Sequence, residues 1–164
     1  MKNVKLPDKL HELMNLALDD LEKVEADDKY LVNMGTWHDA KNSVLDKPVC
    51  LVCFAGAVMA KTFETDPEST VTAYQFEDII TNALNAEPSD PRVGTKLEAL
   101  DWIRSGSILN GYRKMREVPW EDVEGILEEC GLPTYIRVTK YEENPDKFKE
   151  DMRKLSAMLK EYDI

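Results

Sequence analysis

Cys50-Leu-Val-Cys53-Phe-Ala-Gly-Ala-Val-Met-Ala60, continued by Lys61-Thr-Phe63, is the most apolar run of the chain, and its reading decides the fold. From Leu51 to Phe63 apolar residues lie on every side of a helical wheel, so the spacing predicts a helix buried all round. Ala55, Ala57, Ala60 and Gly56 keep that helix slim enough for neighbours to approach closely. A buried strand is the competing reading. Its length and its Ala, Met and Gly content weigh against it. The expected fold is therefore mainly α: a single compact domain over residues 1–164 around this central helix, with at most a minor β element.

Immediately upstream, Gly35-Thr-Trp-His38 reads as a turn that leads into a polar loop broken by Asn42-Ser43 and Pro48. Tyr30 to Met34 reads as a short strand or an extended connector. Before it, Pro7 and Asp8 mark a helix start, and Leu10, Leu13, Met14, Ala17, Leu18, Leu21 and Val24 recur on one face as far as Asp27-Asp28. The opposite face, with Glu12, Asp19, Asp20, Glu22 and Glu25, is expected to be solvated. His11 is expected at the surface.

Downstream, helices are expected at about residues 73–85, 96–105, 107–115 and 120–130, the last closed by Gly131 with Pro133 beyond it. Tyr135 to Tyr141 alternates like a strand without an evident partner. A final helix from Pro145 carries Phe148, Met152, Leu155, Leu159 and Tyr162 at near-heptad spacing. That narrow stripe suits packing against one other helix, either within the chain or in a homodimer.

The 164 residues carry 32 acidic against 21 basic side chains, a formal charge of -11. Such a chain is repelled by nucleic-acid phosphates and anionic lipid, so no direct nucleic-acid or membrane partner is expected. A basic protein is attracted instead. Charge is also uneven along the chain. Thr62 to Pro91 holds acids and no Lys or Arg, Arg92 to Arg116 is mainly basic, and Glu117 to Glu129 is acidic again. Solvated helix faces explain this pattern simply. The functional reading is an acidic surface that imitates phosphate and occupies a basic groove. No apolar run approaches the ~20 residues of a membrane helix. The first residues enter an amphipathic pattern with no secretory signal, so the cytoplasm is the expected compartment.

Three cysteines and two histidines limit the available chemistry. Cys50 and Cys53 have the CxxC spacing of a zinc knuckle, which His38 and Cys130 would complete. Alternatively, Cys53 near a helix start is a nucleophile with His38 as its base. The apolar neighbours Leu51, Val52, Phe54 and Val58 oppose that, because they raise a thiol pKa. In the third reading the sulfurs fill space in the core. The third is preferred: no catalytic residue, no cofactor and no metal are expected.

Several stretches carry a family resemblance: Leu16 to Tyr30, Met34-Gly-Thr-Trp-His38, Cys50-Leu-Val-Cys53-Phe-Ala-Gly-Ala-Val-Met-Ala-Lys-Thr62, and Leu97-Glu-Ala-Leu-Asp-Trp-Ile-Arg-Ser-Gly106. Together they resemble a family of small bacteriophage- and prophage-encoded proteins of unassigned activity. The likeness covers the first two thirds of the chain, and the helical part from about residue 117 to 164 is its variable end. It implies a phage protein made inside a bacterial host, acting on a host or phage protein through contacts, with Phe148, Met152, Leu155, Leu159 and Tyr162 as the expected contact stripe.

Overall fold

The computed structural model describes residues 6–44, 47–63, 93–135 and 140–164. Among these, six helices and three strands follow in the order α1 (Leu10–Glu25), β1 (Tyr30–Val32), β2 (His38–Val44), β3 (Lys47–Val52), α2 (Phe54–Thr62), α3 (Val93–Arg104), α4 (Ile108–Arg116), α5 (Trp120–Glu129) and α6 (Pro145–Glu161). The fold is mainly helical with a minor sheet, as the apolar periodicity implied. No helix among the described residues is long and apolar enough to cross a membrane. The helix expected at about residues 73–85 and the strand-like centre of Tyr135–Tyr141 lie outside the described residues.

The chain divides into two compact units. The first comprises Met1–Leu6 and Leu16–Gly94, the second Pro7–Asn15 and Thr95–Ile164. Its turns being shared at Asn15 and Leu16, α1 contributes to both.

In the first unit the apolar run is split between two elements, which corrects the single helix expected from Leu51 to Phe63. Lys47–Val52 is the central strand of a sheet ordered β1-β3-β2, and only Phe54–Thr62 is helical. β3 runs parallel to β1, with Tyr30 opposite Cys50 and Val32 opposite Val52. It runs antiparallel to β2, with His38 opposite Val52 and Val44 opposite Lys47. Cys50, Leu51 and Val52 are all buried, so both faces of β3 are covered. A strand covered on both faces has no polar alternation, and periodicity alone cannot separate it from a buried helix. The supposed polar loop is β2. Between Asp39 and Asn42 two residues of β2 face one of β3, a bulge that lets a strand rich in Asp, Lys, Asn and Ser pair. Pro48 lies where β3 is paired with β2 alone, a position that tolerates the missing N–H.

α2 then lies against the backbone of the Gly35–His38 turn. A methyl group built on Gly56 would come 1.5 Å from the Trp37 carbonyl oxygen. That same oxygen accepts the Cys53 N–H at 3.2 Å. Polar ties fix the far end of α2: Thr62 Oγ1 donates to Asp20 and Lys61 Nζ pairs with Asp27 while standing 4.5 Å from the Tyr30 ring centroid. Asp20 is therefore 1% exposed, not part of a solvated face, and its second oxygen takes Lys23 at 2.6 Å.

The second unit packs the start of α1 with α3 to α6. His11 is buried rather than superficial, donating from Nδ1 to the Ile164 oxygen at 2.6 Å, while Ser156 Oγ donates to the His11 carbonyl at 3.0 Å. Lys96, 1% exposed, reaches Asp8 at 3.1 Å. Capping sets the helix limits. Ser107 accepts from Asn110 N–H at the start of α4, and Asn144 from Lys147 N–H before Pro145 at the start of α6. α5 ends in a Schellman turn: Gly131 has φ +66°, its N–H bonds Glu128, and the Leu132 N–H reaches back to Leu127. α6 ends the same way with Asp163 at φ 61° in the glycine position and Ile164 bonding Leu159.

Candidate functional site

The geometry of β3 decides what Cys50 and Cys53 can do. The strand is extended to Val52, and Cys53 is itself extended at φ −94° and ψ −170°. Three extended steps separate the two α-carbons by roughly 10 Å, and the side chains three steps apart leave opposite faces. A shared metal ion or a disulfide needs both sulfurs on one side within a few ångströms. The CxxC spacing is thus spread along a strand instead of being folded into a knuckle. Among the described residues no three His, Cys, Asp or Glu side chains gather as ligands would.

Both sulfurs are also fully buried. Burial pushes the Cys50 thiol up to about 12, and the Asp39 carboxylate adds to the effect. That is the reverse of the thiolate stabilisation a nucleophile requires. Cys53 occupies the N-cap of α2 but makes no side-chain cap bond. His38 is placed by its backbone at the first position of β2, opposite Val52. Cys130, half-buried, belongs to the second unit at the end of α5.

The expected contact stripe on α6 is divided. Phe148, Met152, Leu155 and Leu159 are buried within the chain, Phe148 meeting the Tyr141 ring edge-on at 5.9 Å. Only Tyr162, 45% exposed, faces outward. Near-heptad spacing identified a packing face correctly, but its partner is this chain's own core, so the stripe is not available as the contact surface expected of it.

A different surface is left open on α5. Val123 and Leu127 are the buried residues of this helix, and Ile126 is half-buried. Around them Trp120, Glu121, Asp122, Glu124, Gly125, Glu128 and Glu129 are exposed. Among the described residues none of those five carboxylates is in an ion pair. The contrast with α6 is direct, because Asp146 pairs with Lys149, Glu150 with Lys154, and Asp151 with Lys147.

Helix stability accounts for only part of the α5 charges. Glu121 and Asp122 in the first turn favour the helix dipole, but Glu128 and Glu129 in the last turn oppose it. Glu124 and Glu128 add a like-charge pair at i,i+4 spacing. Gly125 sits mid-helix with nothing within 4 Å of where a Cβ would be. At the entry, Arg113 of α4 stands over the Trp120 ring at 5.6 Å. The sequence revealed the acidic run. It could not reveal that these carboxylates have no ion-pair partner among the described residues, since that depends on which basic side chains the fold brings near.

No protein-family model matches the chain, and comparisons with curated proteins and with solved structures return no significant match.

Proposed function

We propose that this chain is a non-enzymatic accessory protein of a bacteriophage or prophage, acting in the bacterial cytoplasm by binding a basic host or phage protein through the exposed face of α5. The observation that carries this reading is the row Glu121, Asp122, Glu124, Glu128 and Glu129, exposed and outside any ion pair among the described residues. Exposed carboxylates that no local lysine neutralises keep their potential available for a cationic partner. Glu128 and Glu129 at the C-terminal end of the helix dipole and the like-charge Glu124–Glu128 pair weaken the helix that bears them, so folding alone does not explain these charges. The family resemblance described above supports the phage setting. The burial of Cys50 and Cys53 weighs against the alternative of a thiol or zinc enzyme.

The more specific form of this reading is an inhibitor that imitates nucleic-acid phosphate and blocks the groove of a host DNA-binding protein. The overall charge of -11 favours it. The test is capture of host proteins on the immobilised chain across a salt series, with duplex DNA as competitor. Contact through α5 requires capture that weakens as salt rises. Mimicry further requires DNA to displace the captured protein. Capture unchanged at high ionic strength would overturn both forms, whereas salt-sensitive capture indifferent to DNA would overturn mimicry alone.

A further inference from the structure

We draw no further inference here: the strongest candidate, the side-chain cluster at the start of α1 where Asp8 holds the buried Lys96 and His11 holds the Ile164 oxygen, is accounted for by the packing already described, and nothing in the structure shows what ligand or signal would act on it.

Discussion

At the scale of single residues, burial decides the chemistry of the sulfurs. Cys50 and Cys53 are sealed in the core and Cys130 is half-buried, so a thiol reagent applied to the folded protein is expected to label Cys130 first. Labelling of Cys53 at a comparable rate, read by peptide mass, would contradict that order. The raised Cys50 thiol also predicts an alkaline effect. The native state keeps a proton that the unfolded chain releases above its ordinary value of 9.0, so stability falls as pH rises from about 9 towards about 12. Denaturant midpoints across that range, compared with a Cys50→Ala chain as reference, isolate this contribution. On the acid side, the bond from Lys61 holds Asp27 below its ordinary 3.8, so its contribution is complete above that value and is lost as pH falls further. Gly56 is a steric case. Gly56→Ala drives a methyl group into the Trp37 carbonyl, a backbone atom with no rotamer to yield, and should cost about 3 kcal/mol or more.

At the scale of elements, α5 contains its own weakness. Gly125→Ala meets open space and removes a mid-helix glycine, so it should raise stability by about 0.5–1 kcal/mol in equilibrium unfolding. Gly131→Ala, at φ +66° in the turn that ends the same helix, should lower it by about 1 kcal/mol or more. An outcome with these signs exchanged would mean that α5 does not end where it is described. These helices were readable in the sequence because their limits are local: Ser107, Asn144-Pro145 and Gly131 act within a turn of where they stand. β2 and β3 were not. Their pairing joins a polar segment of low strand propensity to an apolar segment that looks helical, and only the other strands reveal either one. Asp20 and His11 were misplaced for a related reason. Each is polar, and each is buried by a partner distant in sequence, Thr62 or Ile164, that helix periodicity cannot foresee.

At the scale of the whole molecule, the formal charge of -11 does not say where a partner would bind. The structure distinguishes carboxylates matched by lysine, as on α6, from those on α5 that have no ion-pair partner among the described residues. The same distinction separates a specific contact from diffuse attraction, because both respond to salt but only one depends on position. The deciding measurement is therefore a comparison at fixed ionic strength of two chains neutralised to the same extent. One carries Glu121→Gln, Glu124→Gln and Glu128→Gln, the other Asp146→Asn, Glu150→Gln and Asp151→Asn. Affinity for the captured basic partner should fall at least tenfold with the α5 changes and stay within about twofold of the unaltered chain with the α6 changes, given that a tenfold change is about 1.4 kcal/mol. Equal losses from the two chains, or none from the α5 chain, would contradict the assignment of the contact to α5.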